Sequence, residues 1–216
     1  MEIKWFGHSF FQILAKGKDE KVSVVVDPFS KKIGLKPPTV KADILLVTHH
    51  HFDHDCVQAV KNDYFFIDEP GEYETKGVFI QGIFSFHDDK EGKERGENVI
   101  YKIVAEEIGL VHLGDLGQRE LEKEQIEKIG EVDVLMVPVG GVYTICAKEA
   151  KKIVEQLKPK IVIPMHYALP GLKVKLEKLE NFLKIMGEKG ERMEKLKIKK
   201  SDLEKMKRKI VVLNYT

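Results

Sequence analysis

Only two cysteines, Cys56 and Cys146, occur in 216 residues. They are too few for a disulfide framework, so the fold must rest on its own core, and the thiols suit a reducing, cytosolic setting. No apolar run approaches the roughly 20 residues that cross a bilayer. The opening Met1-Glu2-Ile3-Lys4-Trp5 lacks an apolar segment and a small-residue cleavage site, so no signal peptide is expected. Charge of one sign is missing as well. Lys and Arg number 36 against 35 Asp and Glu, a formal net charge of +1, which gives no global field for gathering nucleic acid. Internal repeats, linkers, a Gly-x-Ser-x-Gly elbow and a P-loop pattern are all absent, so neither serine-hydrolase nor P-loop chemistry competes for the function.

What remains is a globular composition, 43% apolar and 33% charged, rich in Lys and Glu as hyperthermophile proteins tend to be. The length suits one domain, 1–216, with no room for a second catalytic one. A soluble cytoplasmic protein is expected. Short strands are expected over Glu2 to Phe6, Phe10 to Ala15 and Lys21 to Val26, then Ile44 to Val47, Tyr64 to Ile67, Glu72 to Glu74 and Val78 to Phe86. Val99 to Val104 and Ile108 to Leu113 read as a hairpin. From Val132 the pattern changes to strand (to Val139), helix (Cys146 to Leu157) and strand (Ile161 to Ile163), a βαβ-type half. Glu120 to Ile129 is expected as a helix, and Lys173 to Lys209 carries Leu, Ile and Met at helical spacing. Ile210 to Tyr215 reads as a closing strand.

The densest set of metal-ligand side chains follows the fourth strand, with four histidines and two aspartates between His49 and Asp55. On an extended backbone alternate side chains share a side, so His49 and His51 can aim two imidazoles at one point while His50 points elsewhere. Asp53 and His54 lie at a turn where a helix from Cys56 to Lys61 is expected, and they leave the backbone in another direction. Two nitrogens for one ion, and a carboxylate with a nitrogen for a neighbouring ion, form a ligand set for Zn, Mn or non-haem Fe. Elsewhere, His112 is expected to be structural and Cys56 to pack. Asp88 to Asn98 reads as either a mobile loop over the site or a solvated connection, and the amides of Gly140 to Thr144 either hold an anion or form a tight turn.

The pattern His-x-His-x-Asp-His at the end of an apolar strand resembles the signature of the metallo-β-lactamase superfamily. The resemblance implies a four-layer αββα sandwich. It also implies further ligands: His87 in Phe84-Ser85-Phe86-His87-Asp88, Asp115 in His112-Leu113-Gly114-Asp115, and His166 in Ile163-Pro164-Met165-His166-Tyr167. By carry-over, His49, His51 and His87 would hold one ion, Asp53, His54 and His166 a second, and Asp115 would bridge them. Asp27, ending the third strand, would brace the metal loop, and His8, in a Gly-His-Ser turn, would lie near the mouth of the site.

A dinuclear hydrolase is the implied activity, with two divalent ions, zinc foremost, and Asp53 and Asp115 as catalytic carboxylates. The turn Trp5-Phe6-Gly7-His8-Ser9 and the stretch Pro138-Val139-Gly140-Gly141 resemble the ascorbate-6-phosphate lactonase-like branch. Its implied partner is a small ester, lactone or phosphoester, not nucleic acid or a membrane. Three alternatives stand beside it. An RNA or DNA phosphodiesterase of the superfamily would carry exosite arms or an inserted domain that this chain lacks. An iron-dependent redox enzyme of the flavin-coupled kind shows Glu where this chain has His51. A metal-stabilised binding module would have lost ligands.

Overall fold

Alternation in the opening strands sorts side chains between two cores. Val22, Val24 and Val26 face the main core, whereas Val25 faces a smaller one with Phe10, Phe29 and Leu45. A strand covered on both faces belongs inside a layered structure, and the computed structural model, which describes residues 1–215, has that arrangement. Thr216, at the end of the expected domain, lies outside the described residues.

In chain order the elements are β1 (Glu2–Trp5), β2 (Phe11–Lys16), β3 (Lys21–Val26), β4 (Val40–Lys41), β5 (Ile44–Leu46), β6 (Val60–Lys61) and β7 (Phe65–Ile67). There follow β8 (Gly71–Thr75), β9 (Val78–Phe86), β10 (Glu97–Ala105), β11 (Ile108–His112), α1 (Lys123–Ile129), β12 (Val134–Pro138) and α2 (Ala147–Leu157). The chain ends with β13 (Ile161–Met165), α3 (Leu179–Met186), β14 (Glu191–Met193), β15 (Leu196–Lys197), α4 (Lys200–Glu204) and β16 (Lys209–Leu213).

One sheet has the order β15-β1-β2-β3-β5-β7, the other β14-β16-β13-β12-β11-β10-β9-β8. Each is antiparallel in its early strands and parallel where β5 joins β3 and where β11, β12, β13 and β16 run side by side. The main core fills the space between the sheets and continues under α2 and α3, whose apolar residues Ile153, Val154 and Phe182 are fully buried. Over the outer face of the first sheet, the turns from Pro28 to Leu35 and the parallel pair β4-β6 supply the cover. The result is an α/β sandwich.

Two expectations give way. Cys56 to Lys61 is no helix: a single 3-10 turn, Val57–Ala59, runs into β6, because Val60 and Lys61 pair with Val40 and Lys41. From Lys173 to Lys209 helix forms only in α3 and α4. Gly187, at φ +73°, ends α3, and the segment beyond is drawn into β14 and β15 by pairing with β16 and β1.

The parallel strands decide where chemistry can occur, since loops leaving their carboxyl ends converge along one edge. Asp27 follows β3, Thr48 to His54 follow β5, Asp115 follows β11 and His166 follows β13. Tyr101 on β10 crosses between the sheets, its buried hydroxyl placed 3.1 Å from the Val47 carbonyl and 3.2 Å from that of Ile67. Two residues before it, the Val99 amide donates to the Thr48 carbonyl at 2.9 Å. The His-rich loop is thus pinned to the opposite sheet.

Candidate metal centre

Buried imidazoles need partners, and the partners fix which nitrogen stays available. Asp27 accepts from the Thr48 amide at 2.8 Å, the Thr48 hydroxyl at 2.7 Å and His54 Nδ1 at 2.9 Å. Because the Thr48 hydroxyl hydrogen goes to Asp27, the 3.0 Å contact between Thr48 Oγ1 and His49 Nδ1 has the imidazole as donor. His49 therefore keeps Nε2 as an acceptor, His54 turns Nε2 toward the same centre, and both atoms are buried without a hydrogen-bond partner.

The other side of the cluster comes from the second sheet. Asp115 Oδ2 lies 3.2 Å from His54 Nε2, 3.4 Å from His87 Nε2 and 3.1 Å from His166 Nε2, and its Oδ1 has no partner. Its own amide donates to Asn98 Oδ1 at 2.9 Å. Ligand atoms of His49, His51 and His87 all lie within 4.8 Å of one another, as do those of His8, Asp53, His54 and His166, and those of His49, His54 and Asp115. The rings of His49 and His54 are 4.3 Å apart, so the groups adjoin. Imidazole and carboxylate donors this close, with unpartnered nitrogens converging on one carboxylate, fit divalent cations of the zinc type.

Backbone strain accompanies the site. His8, Asp27 and His166 all have positive φ (54°, 49° and 51°), a conformation costly for non-glycine residues and held here by their surroundings. Gly114 shares it, and a Cβ there would sit 2.3 Å from Asn98 Oδ1. These sharp turns redirect the chain where strands end. The His166 amide donates to the His8 carbonyl at 3.0 Å, joining the two loops.

Electrostatics follow from burial and crowding. Burial, helped by the His166 imidazole, lowers His8 to about 4, so it is neutral and donates from Nε2 to Asp53 Oδ2 at 3.1 Å. Burial alone would raise the Asp53 carboxyl, but that hydrogen bond and the nearby imidazoles hold it well below the usual range. Asp115 likewise stays ionised against burial, held down by His166 and His54. Burial pushes His49 and His87 down. At His54 burial is overcome by Asp115 at one nitrogen and Asp27 at the other, which raise it well above the ordinary imidazole value. The centre is built to attract positive charge.

Of the residues singled out from the sequence, His49, His51, Asp53, His54, His87, Asp115 and His166 are brought together, with Asp27 behind them. His8 is fully buried beside Asp53 and not at the surface. His50 turns outward to Asp68 at 3.2 Å. His112 lies 3.1 Å from the Ser9 carbonyl through Nε2, and its Nδ1 accepts from the Gly114 amide. The amides of Tyr143 and Thr144 bond the Gly141 carbonyl, which makes that loop a tight turn. In the loop after His87, Asp88 accepts from four backbone amides, those of Lys90, Gly92, Glu94 and Arg95.

Thr48 and Asn98 have no counterpart in the sequence reading. Thr48, directly before His49, had adjacency as a signal, whereas Asn98 had none.

A two-sheet sandwich with a His/Asp cluster along the carboxyl edge of its parallel strands defines a class, the metal-dependent hydrolases of the αββα type. Residues 2–166 match the model of the Beta-lactamase superfamily domain. A protein of Methanopyrus kandleri, named as a metal-dependent hydrolase, is 31% identical, over 77% of this chain and 84% of its own. One of Thermococcus onnurineus with the same description is 29% identical over 88% and 94%. A solved structure from Thermotoga maritima, described as a candidate Zn-dependent hydrolase of the metallo-β-lactamase superfamily, is 39% identical, covers 98% of this chain and 97% of its own, and superposes with a TM-score of 0.79. The chain belongs to the metallo-β-lactamase superfamily, and is a metal-dependent hydrolase within it. Among the described residues no helix is long and apolar enough to cross a membrane.

Proposed function

We propose that the protein is a dinuclear hydrolase, zinc-dependent and cytoplasmic, formed by one domain and acting on a small ester, lactone or phosphoester. The observation that carries this reading is the position of Asp115, whose Oδ2 lies within 3.1 to 3.4 Å of Nε2 of His54, His87 and His166, between two histidine groups. His49, His51 and His87 would hold one ion, Asp53, His54 and His166 the other, with Asp115 available to both. Two free cysteines support the reducing compartment.

Bound divalent ions supply a hydroxide nucleophile near neutral pH and Lewis-acid polarisation of the scissile group. The chain's own residues do the rest. Asp27 and Thr48 fix the tautomers of His54 and His49 and keep both Nε2 atoms turned inward. Asp53, ionised and lining the cleft, would help to orient the attacking water, while His8 donates to its Oδ2.

Metal analysis of protein purified without chelator should approach two equivalents per chain. A panel of lactones, carboxylic esters and phosphodiesters, each with Zn, Mn and Fe, should then find turnover that His51→Ala and Asp115→Ala abolish together with metal binding. Full turnover in either variant would sink the reading.

A further inference from the structure

The cleft above the ligand cluster has charged walls of one sign. Its volume is about 680 Å³, and Lys32, Arg95, Lys173 and Lys175 line it, whereas the only carboxylates on its lining are Asp53 and Asp115. Some lysines and arginines elsewhere on this surface have acidic partners, as Lys76 has Asp43, Lys200 has Asp133 and Arg208 has Glu155. Among the described residues none of the three cleft lysines has one. Arg95 is partly matched by Glu94 at 3.7 Å, and its guanidinium lies 5.6 Å from the centre of the exposed Tyr143 ring.

The lysines are held in place by the backbone. The Lys173 amide donates to the Ile33 carbonyl at 2.7 Å, which brings the strap carrying Lys173 and Lys175 against the turn carrying Lys32. Within the strap Leu172 and Val174 pack on the smaller core, so the alternating Lys173 and Lys175 stay outside it. The strap is closed by the Ala168 amide on the Glu177 carbonyl at 2.9 Å and tied to the neighbouring loop by the Glu177 amide on Gly140 at 2.7 Å. Across the cleft, the Arg95 backbone is anchored by Asp88 at 2.7 Å.

Unmatched cations converging on a cleft attract an anion, and several together hold it more firmly than one exposed pair does. We propose that the substrate is a small molecule bearing a carboxylate or phosphate group away from the scissile bond, held by Lys32, Lys173, Lys175 and Arg95 while the bond to be cut lies over Asp53 and Asp115. This rests on the hydrolase reading above and names its substrate class. A polymer is disfavoured because the cleft is sized for a small ligand and the chain's net charge is +1.

The test compares the metal-loaded wild type with a Lys32→Ala/Lys173→Ala/Lys175→Ala triple variant and with Arg95→Ala, with Lys123→Ala on α1 as a control. Two esters differing in one charge, mono-4-nitrophenyl glutarate and neutral 4-nitrophenyl butyrate, are assayed for kcat and KM. Binding of phenylphosphonate and of glutarate is measured by calorimetry, which separates the phosphate-like source from the carboxylate one. The expected result is a fall of about tenfold or more in the triple variant's preference for the charged ester, carried by KM, with weaker binding of at least one anion and with metal content retained. Both effects should shrink as salt rises from 50 to 500 mM, since exposed charges are screened.

Preference and anion affinity equal to wild type, with metal retained, would overturn the proposal. Should the wild type cleave neither ester, the hydrolase reading fails for esters, and the calorimetry decides the rim by itself: lysine-dependent anion binding supports it, and absence of binding overturns it. Lysine-dependent binding of a 12-nucleotide RNA that displaces phenylphosphonate would also overturn it, in favour of a polymer.

Discussion

Asp27 shows how much of a metal site can reside in a residue that never meets the metal. Its two oxygens satisfy the Thr48 amide, the Thr48 hydroxyl and His54 Nδ1, so one carboxylate sets the direction of one imidazole and, through Thr48, of another. Loss of such a partner lowers metal affinity by roughly 10- to 100-fold. Asp27→Ala should therefore weaken metal retention against a competing chelator by about that factor. It should also destabilise the fold by about 1–3 kcal/mol for each buried donor left unsatisfied, read as a lower urea midpoint. An unchanged chelator titration would show that the loop is held by other means.

His8 gives a second test at the same scale. It donates to Asp53 from a neutral ring, so His8→Ala should reduce kcat more than it reduces metal content, whereas Asp53→Ala should reduce both. Loss of metal in His8→Ala equal to that in Asp53→Ala would make His8 a ligand in its own right.

Of the seven ligand candidates, His49, His51, Asp53 and His54 stand out as a dense cluster after an apolar run, whereas His87, Asp115 and His166, each at or just after a strand end, are singled out only through the family resemblance. His8 was only half legible. A lone turn histidine is ordinarily exposed, and nothing local reveals that the His166 amide reaches back to its carbonyl. Asn98 was not legible at all, since its role as acceptor for the Asp115 amide exists only once β10 and β11 are paired.

At the scale of elements, strands with clear alternation were readable and segments whose state depends on distant pairing were not. Val22 to Val26 alternate between two cores, which local pattern can encode. The Lys/Glu-rich stretch after Lys173 has helical spacing throughout, yet tertiary pairing with β16 and β1 takes Glu191–Met193 and Leu196–Lys197 into strands. Its first part forms the basic strap, whose place against Ile33 no local signal announces.

Loop geometry supplies a prediction here. A Cβ on Gly140 would meet the His166 carbonyl oxygen at 2.1 Å, far inside contact distance and against backbone that cannot rotate away. Gly140→Ala should displace His166 and destabilise by about 1–3 kcal/mol, as overpacking does, with metal retention lost more than the urea midpoint suggests. A variant with both properties intact would show that the loop yields freely. The turn after His87 makes the contrasting case. Four amides on Asp88 hold its carboxyl down at about 2, so the turn should stay closed at any pH above that. Asp88→Ala should speed hydrogen exchange at Lys90, Gly92, Glu94 and Arg95 while leaving the core strands protected.

For the whole molecule, the site joins the two sheets, with Asp27 and the loop after β5 on one side and His87, Asp115 and His166 on the other. Folding without metal then means burying imidazoles that would rather be charged and wet. Burial lowers His8 to about 4 and pushes His49, His87 and His112 down. In the unfolded chain each would bind a proton near pH 6.5. Their contribution to stability is therefore present above about pH 6.5 and is lost as pH falls through their lowered values, about 4 for His8. His54 has the opposite sign: its raised value contributes below about pH 6.5 and fades as pH rises through that value. Asp53 and Asp115, both lowered, contribute stability throughout this range and lose it only as pH falls below the ordinary carboxylate values. Four groups against one leave the metal-free protein acid-labile. Its urea midpoint should fall steadily from pH 7.5 to pH 5, and adding zinc at a thousandfold excess over Kd should restore about 4 kcal/mol per ion at the upper end. The restoration should shrink toward pH 5, because protons and metal compete for the same nitrogens. A midpoint that is flat or rises on acidification in the chelator-treated protein would mean that these imidazoles are not held neutral by the fold, and the account of a site made to accept cations would lose its energetic basis.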